Sequence, residues 1–505
     1  MKANRNPSAN KDNNYDTDEV ETGVHTSLLP QNINWAVLKN IGVQVIARII
    51  ITVFRYLGNF LIFRFWGGER FGQYSLILII LSFGETILDF GLNEIFVREV
   101  HQHPYRKQSL LSALTYSKML QIIIAYIVIL GLLLLSGYSK EVVYAGLIGG
   151  LELVFLGGIF IYKGLFKALL KIQCDMIAEL VSTVVFFGLL VEVCYFGGGL
   201  SVIFIAFVCS RMVYFLMVFI QGRRDYNLYI ERWNTVDIRN GFIAALPIGL
   251  SMFMVSIYTS LDIFMLSRMD SWKSVGLYSA AYRFVLPLVL IPTALMTTLY
   301  PILSSYWGKR MDDLRKLYQQ GMDCSILLAG ATFCAVVAGA GFLMNLFGPE
   351  AVEATPALRI LALAITIMHL SAIIGPMFII IRQQWFSLAF GMGGIIINAT
   401  FNILLIPRFS YIGAAVATCM REITLVILAF FVIQHFIDYH LKWWILVKVV
   451  ISVTISLVVI QHIRLFNTVW GGLLAVLFYG IGLIATRAIQ PGQIQTFIRS
   501  VQEKS

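Results

Sequence analysis

The chain is a succession of long apolar stretches separated by short polar loops. Beyond residue 34, apolar stretches of about 20 residues or more recur almost to the C-terminus, and a helix of that length crosses roughly 30 Å of hydrocarbon. The pattern predicts an all-α integral membrane protein with about 14 transmembrane helices. We place them at residues 38–65, 72–97, 110–136, 142–166, 173–195, 199–221, 239–267, 275–305, 320–346, 356–381, 385–406, 411–436, 443–461 and 468–487.

Two pairs of similar segments indicate an internal repeat. Phe71–Ser75 (FGQYS) resembles Val275–Ser279 (VGLYS), and Gly199–Ser201 parallels Gly413–Ala415. The spacing predicts two six-helix lobes followed by two added helices, and repeats of this kind are typical of transporters whose substrate site lies between the halves. The predicted domains are a disordered cytoplasmic tail (1–34), an N-terminal lobe (35–222), a cytoplasmic loop (223–238), a C-terminal lobe (239–436), helices thirteen and fourteen (437–490) and a cytoplasmic tail (491–505).

Composition and charge support a membrane location and predict an orientation. Hydrophobic residues make up 58% of the chain and charged residues 13%, about half the share in an ordinary soluble domain. With the N-terminus inside, the termini and inner loops hold 23 Lys and Arg and the outer loops hold six. The bias predicts cytoplasmic termini. The net charge of +10 is scattered over short loops, so no nucleic-acid partner is expected.

The polar motifs argue against catalysis. The six cysteines lack the spacing of a metal site or of a disulfide framework, and no phosphate-binding Gly-rich loop, HExxH or CxxC motif is present. The longest outer loop, about residues 347–355, is too short for an external domain. We therefore predict a transporter without a cofactor or bound metal. It is expected to be driven by an ion gradient, the membrane potential or the substrate gradient, with sodium and protons as the candidate coupling ions.

Helices one and two carry opposite charges along single faces. In helix one the polar residues follow helical spacing, as they do in helix two, where two of them are acidic. The residues are Gln44, Arg48, Thr52, Arg55 and Asn59 in helix one, and Ser82, Glu85, Asp89 and Asn93 in helix two. Two interpretations stay open. Either an arginine pairs with Glu85 or Asp89 to hold the helices together, or the guanidinium groups bind a phosphate in a cavity.

Further charges interrupt later helices. Asp262 and Arg283 lie in the helix pair that the repeat relates to helices one and two, and we predict that both face the cavity. Weaker candidates are Arg211, Arg421 and Glu422, together with Asp175, Glu179 and Glu192 of helix five. Lys118 is close enough to a helix end to extend to the interface. His369 is expected to be a packed residue.

Several segments resemble polysaccharide-export flippases. They are Gly68–Ser75, Asp89–Leu92 with Val97–Glu99, Val275–Arg283 leading to Pro301, and Ile406–Arg408 followed by Ile412–Thr418. The chain is thereby identified as a member of the polysaccharide and O-antigen flippase family. That family belongs to the multidrug, oligosaccharidyl-lipid and polysaccharide exporter superfamily, and the resemblance covers residues 36 to about 490.

The resemblance implies a specific function. Family members move undecaprenyl-pyrophosphate-linked oligosaccharides across the plasma membrane, the bacterial inner membrane, for O-antigen, capsule or exopolysaccharide synthesis, by alternating access. Membrane lipids, a polysaccharide polymerase and assembly proteins are the implied partners. By helix position Arg48, Arg55 and Arg283, with Gln44 and Asn59, would bind the pyrophosphate headgroup, while Glu85, Asp89 and Asp262 would couple ions or pair with the arginines.

Three alternatives are weighed against this function. A lipid II flippase and a multidrug cation exporter share the transporter class, although a cation exporter is expected to lack a matching set of deep arginines. An O-antigen polymerase or ligase would be an enzyme that acts on the same lipid carrier. Such enzymes need a sizeable external loop, and the outer loops of this chain are short.

Overall fold

A computed structural model describes residues 35–169, 171–225, 235–439 and 442–488. Its described part contains helices and no strand. Their bounds are α1 Trp35–Asp89, α2 Leu92–Gln102, α3 Lys107–Leu135, α4 Lys140–Gly150, α5 Glu152–Ala168, α6 Ile172–Tyr195, α7 Leu200–Asp225, α8 Thr235–Met269, α9 Trp272–Tyr282, α10 Val285–Tyr306, α11 Met311–Phe347, α12 Thr355–Ile380, α13 Gln384–Ile437, α14 Trp443–His462 and α15 Val469–Ala485. Two short 3₁₀ helices, Pro104–Arg106 and Pro349–Ala354, complete the set.

The described helices give fourteen membrane spans. Eleven helical stretches are long and apolar enough to cross a membrane. Two of these, α1 and α13, each join two spans at a residue with non-helical backbone angles, Gly67 (φ 74°) and Ser410 (φ 55°). The 17 residues of α15 extend about 26 Å and supply the last span. The predicted all-α multi-pass fold is confirmed.

Three predicted boundaries were wrong. Helix two ends at Asp89, because Phe90 and Gly91 adopt left-handed angles (φ 37° and 73°) before α2 begins. The predicted eighth helix is interrupted at Arg283 and Phe284, between α9 and α10. Residues 311–319, predicted to be a loop, form the first turns of α11, where the ion pair between Arg315 and Asp312 (3.2 Å) joins adjacent turns.

Several predicted segments fall wholly or partly outside the described residues. They are the tail 1–34, the segment 226–234 of the interlobe loop and the tail 491–505. The two last helices, α14 and α15, pack against α11.

The two halves of the chain meet through a reciprocal contact between glycines. We call the end of the bundle that contains Gly67, Asp270 and Gly348 the outer end, following the orientation that the loop charges predict. There α1 packs closely on α9. A Cβ atom on Gly72 would lie 2.2 Å from the Trp272 carbonyl oxygen, and one on Gly276 would lie 1.9 Å from the Gly68 carbonyl oxygen. The FGQYS and VGLYS segments, from which the repeat was predicted, therefore lie where the two halves are in contact.

Further contacts close the outer end. The Glu350 carboxylate accepts a hydrogen bond from the Gly68 amide at 3.0 Å, and the hydroxyls of Tyr138 and Ser267 lie 2.9 Å apart. Farther from the outer end, α10 packs mainly against α11 and α12 of its own half. The lobes are thus tightly joined at the outer end, whereas α10 makes most of its contacts within its own lobe.

Candidate functional site

Arg283 lies at the break between α9 and α10, directly beside the other lobe. The Tyr56 hydroxyl of α1 donates a hydrogen bond to the Arg283 carbonyl oxygen at 2.7 Å, and the guanidinium carbon lies 5.3 Å from the centre of the Phe71 ring. The side chain is partly exposed. Its Nε atom is buried without a hydrogen-bond partner, and no carboxylate of the described residues forms an ion pair with it. A guanidinium group with a buried, unpartnered nitrogen and no anion beside it is costly, so the position suits an anionic ligand.

Two helix ends meet at Arg283. Helix α9 ends at Tyr282, and α10 begins at Val285 with Pro287 in its first turn. The carboxyl end of α9 is the negative end of its dipole and the amino end of α10 is the positive end of its dipole, so the two dipoles largely offset each other at the break. The positive potential there therefore comes mainly from the Arg283 side chain itself.

The arginines of helix one pair with helix five, not with helix two. Arg55 forms an ion pair of 2.7 Å with Glu179 of α6, and Arg48 lies 3.8 Å from the same carboxylate. The two arginine side chains remain 63% (Arg48) and 53% (Arg55) exposed. The interpretation that they neutralise Glu85 or Asp89 was wrong, because helical spacing fixes a shared face but not the neighbour that this face meets. One carboxylate pairs with two guanidinium groups, so one of the two positive charges is not neutralised within this group of three residues.

Gln44 and Asn59 lie at opposite ends of the polar face of helix one. Asn59 is buried and donates to the Arg55 carbonyl oxygen at 2.7 Å, one helical turn back. Gln44 and Arg48 instead line a cavity of about 500 Å³ with Lys163, Lys167 and Asp175. The end of this polar face at Gln44 and Arg48 therefore opens into a basic cavity, while the end at Asn59 is packed against other residues.

The acids of helix two lie apart from each other. Glu85 is 3.5 Å from Arg211 of α7, which also donates through Nε to Glu152 of α5 at 3.0 Å. Asp89 is partly exposed at the end of α1. The predicted extension of Lys118 to the interface was wrong. Its ammonium is buried and donates to the Leu88 carbonyl oxygen, where the helix break frees backbone acceptors.

Asp262 is fully buried and is surrounded by neutral donors. Its carboxylate accepts hydrogen bonds from the Nδ2 atoms of Asn398 and Asn402 (both 2.7 Å), from the Thr418 hydroxyl (2.7 Å) and from the Tyr278 hydroxyl (2.9 Å). No Lys or Arg of the described residues forms an ion pair with it. Both asparagine Oδ1 atoms are buried without a hydrogen-bond donor. Because both asparagines direct Nδ2 to the carboxylate, their two unpartnered oxygens face away from it. Together the three side chains offer oxygen ligands of the kind that a hard cation takes.

The remaining deep charges are paired with each other. Arg421 is completely buried, lies 2.9 Å from Glu422 and covers the Tyr258 ring with its guanidinium carbon 3.9 Å from the ring centre. Asp175 accepts a hydrogen bond from Tyr214 at 2.7 Å. His369 is buried, with Nδ1 2.9 Å from the Ile365 carbonyl oxygen. These arrangements leave little for a ligand to satisfy.

Several residues of these clusters were absent from the candidates drawn from the sequence. Asn398 and Asn402 are spaced four apart in helix eleven, so their spacing alone places them on one face. Glu152 interrupts an otherwise apolar stretch of helix four. Both signals were available in the sequence. Thr418 had no such signal, because a single threonine in a membrane helix usually bonds to its own backbone.

Comparison with known proteins agrees with the fold. The sequence profile described as polysaccharide biosynthesis protein matches residues 37–307, and the MatE profile matches residues 247–404. A relative from Haloferax volcanii, named probable flippase AglR, is 26% identical over 58% of this chain and 63% of its own length. The chain therefore spans less than two thirds of that relative. Another protein of this organism, probable low-salt glycan biosynthesis flippase Agl15, is 22% identical over 74% of this chain and 79% of its own length.

A solved structure shares the architecture over most of the chain. The structure named lipid II flippase MurJ, inward closed conformation, superposes with a TM-score of 0.72 at 15% identity. The superposition covers 88% of this chain and 98% of the other. At this identity the likeness concerns the fold alone.

Proposed function

We propose, since the chain belongs to the polysaccharide biosynthesis protein family, that it is a flippase for an undecaprenyl-pyrophosphate-linked oligosaccharide. It would move repeat units of a surface polysaccharide across the bacterial plasma membrane by alternating access. The flippase names of the two Haloferax volcanii relatives support the transport of a lipid-linked glycan. A surface-polysaccharide polymerase and assembly proteins would act on the product.

The single observation that carries this proposal is the unpaired guanidinium group of Arg283. Its Nε atom is buried without a partner, and it sits at the start of a half-helix, between Phe71 and Tyr56 of the other lobe. A pyrophosphate supplies the negative charge and the hydrogen-bond acceptors that this group lacks, and the planar fork of arginine matches phosphate oxygens. Because the partners come from both lobes, binding there would depend on how the lobes are arranged.

The arginines of helix one would act before Arg283. They share one carboxylate, Glu179, and remain largely exposed. An incoming diphosphate can therefore compete for them without removing an ion pair from a dry interior. Arg48 borders the basic cavity of about 500 Å³ with Lys163, so we assign it to initial binding. Arg55, two turns farther along α1, would pass the headgroup toward Arg283.

Coupling to a cation is assigned to Asp262. The carboxylate, the Oδ1 atoms of Asn398 and Asn402 and the Thr418 hydroxyl offer oxygen ligands with one negative charge in a buried place. This set fits a monovalent hard cation such as sodium. The sites for the cation and the phosphate lie on the same lobe, in α8 and at the end of α9. We therefore propose that cation binding and headgroup binding alternate as the lobes rearrange.

The experiment is complementation of a strain that lacks this gene. We expect wild type to restore surface polymer, whereas Arg283→Ala leaves complete lipid-linked repeat units on the cytoplasmic face. Removing a charge-assisted contact costs about 1.5 to 3 kcal/mol, or roughly 10- to 150-fold in rate. Arg64→Ala is the control, since Arg64 contacts only the Asn345 carbonyl oxygen at the outer end. Normal polymer from the Arg283→Ala strain, at equal protein level, would refute the proposal.

A further inference from the structure

The N-terminal lobe contains a buried cluster whose charges do not balance. Glu85 of α1, Glu152 of α5 and Arg211 of α7 meet within hydrogen-bond and ion-pair distance: Arg211 Nε lies 3.0 Å from Glu152 Oε2, and another Arg211 nitrogen lies 3.5 Å from Glu85 Oε1. Two carboxylates therefore share a single guanidinium group. If both are ionised, the cluster carries one net negative charge inside the membrane region.

One oxygen atom of the cluster has nothing to bind. The Oε1 atom of Glu152 is buried and has no hydrogen-bond partner, and its side chain is 1% exposed. Arg211 directs Nε to the other oxygen, and its guanidinium carbon lies 4.9 Å from the centre of the Phe207 ring. An ionised carboxylate that is buried with one bare oxygen, near a second carboxylate, is strongly disfavoured.

Among the described residues of the lobe, no Lys or Arg besides Arg211 forms an ion pair with Glu85 or Glu152. Tyr74 of α1 and Tyr214 of α7 face the cluster, and Tyr214 donates its hydroxyl to Asp175 of α6. Arg55 is engaged with Glu179 of α6, and the Lys118 ammonium of α3 donates to the Leu88 carbonyl oxygen. The surrounding helices thus contribute neutral hydroxyls, acids or cations already in use.

The cluster reaches the surface of the protein through one of its members. The side chain of Glu85 is 38% exposed, compared with 19% for Arg211 and 1% for Glu152. Exposure therefore falls stepwise from Glu85 to Glu152. A small ligand that arrives at Glu85 can be transferred inward without opening the packed helices.

We propose that this cluster is a binding site for one proton, separate from the cation site at Asp262. A hydronium ion in water near Glu85 gives up a proton, which forms an O–H bond with the unpartnered Oε1 atom of Glu152. One O–H bond of hydronium breaks and one water is released, and the cluster becomes neutral. With a single proton, the remaining carboxylate and Arg211 form a balanced ion pair.

Infrared spectroscopy of the purified protein in lipid nanodiscs tests this directly. A protonated glutamate has a carbonyl stretching band that an ionised one lacks, so wild type at neutral pH should show a protonated carboxyl group. Glu152→Gln and Glu85→Gln each leave one acid for one guanidinium group. Both variants should therefore lose that band and bind one proton fewer per molecule in a potentiometric titration across neutral pH.

Matched controls separate this site from others. Glu192→Gln removes an exposed acid from α6 of the same lobe, and it should leave the band unchanged. Asp262→Asn should also leave it unchanged, which distinguishes the proton site from the proposed cation site. Transport is not needed for this readout, so failure of the flippase proposal would not alter it. A wild-type spectrum without the band, or a band that persists in both glutamine variants, would overturn the proton site.

Discussion

Two buried carboxylates, one in each lobe, are stabilised in different ways. Glu152 of the N-terminal lobe receives one hydrogen bond from Arg211, and its second oxygen has no partner. Asp262 of the C-terminal lobe accepts four hydrogen bonds from neutral groups and has no ion pair among the described residues. Both side chains are almost completely buried. The lobes thus differ in the way they stabilise a buried negative charge.

The difference shows what each lobe can bind. Around Asp262 neutral donors satisfy both carboxylate oxygens, and the two unpartnered amide oxygens are the basis of the proposed cation site. Around Glu152 an arginine supplies charge but leaves an oxygen bare, so a proton is the ligand that completes the cluster. Where charges balance completely, as in Arg421 and Glu422, we infer a structural role.

The largest expected effect comes from removing the cation of the N-terminal cluster. Arg211→Met should lower the free energy of unfolding by about 3 to 5 kcal/mol, because it leaves the buried Glu152 without a counter-ion and beside a second acid, Glu85. Thermal unfolding in detergent would show it. Arg223→Met is the matched control on α7, since Arg223 lies a similar 5.0 Å over Phe219 and is exposed. Equal melting temperatures for the two variants would show that Arg211 stabilises the protein no more than an exposed arginine does, which would contradict the account of the N-terminal cluster.

A single hydroxyl tests the C-terminal cluster. Thr418→Val removes a donor from the Asp262 carboxylate and should cost about 1.5 to 3 kcal/mol. It should also abolish stabilisation by sodium, which is about 1.4 kcal/mol for wild type at ten times the dissociation constant. Thr424→Val, in the same helix, removes only a bond to the Met420 carbonyl oxygen. Sodium-dependent melting that survives Thr418→Val would contradict the assignment of the cation site.

The contact between the Gly72 and Gly276 segments tests whether the two lobes contribute equally to the closed outer end. Gly72→Ala and Gly276→Ala should destabilise the closed outer end by similar amounts, about 1 to 3 kcal/mol, because each Cβ would collide with a carbonyl of the other lobe. Labelling by a membrane-impermeant maleimide of Ser274→Cys, which is buried at this end, should increase in both variants. Gly188→Ala is the control, as nothing lies within 4 Å of its Cβ position. Opposite effects of the two glycines would break the reciprocity.

The smallest effect is expected at the inner end. Arg106 and Asp237 form an ion pair of 2.6 Å between the lobes, with the arginine side chain 41% exposed and the aspartate side chain 7% exposed. Arg106→Ala should lower stability by about 1 kcal/mol, and less in high salt, because water screens the exposed arginine and Asp237 keeps the hydrogen bond from the Ser109 hydroxyl. Melting temperatures at low and high salt measure this. A decrease as large as that of Arg211→Met would show that the inner contact is energetically equal to a buried cluster.

The sequence predicted the spans better than the neighbours of each charge. Apolar length and helical spacing are local, so fourteen helices and the shared face of Arg48 and Arg55 followed directly. Which helix that face meets depends on packing between distant segments, and Glu179 was only a weak candidate. The breaks at Phe90 and Arg283 were also missed, because their φ angles and exposed amides are set by tertiary contacts with the other lobe.

The balance of charge in each cluster was the feature that could least be predicted from the sequence. It requires all partners to be known, including the neutral donors Asn398, Asn402 and Thr418 and the buried Glu152. The roles assigned to the helix-one arginines, Glu85 and Asp89 stay predictions, and their placement makes each of them testable.

The most direct test of the proposed function is translocation of a labelled undecaprenyl-pyrophosphate-linked oligosaccharide by purified protein in liposomes. Wild type should move the lipid between leaflets, and protection of its glycan from an added glycosidase would report the movement. Arg283→Ala should be at least about tenfold slower, with Arg64→Ala close to wild type. If Arg283→Ala moves the lipid at the wild-type rate, the unpaired guanidinium group is not the site of the headgroup, and the account fails.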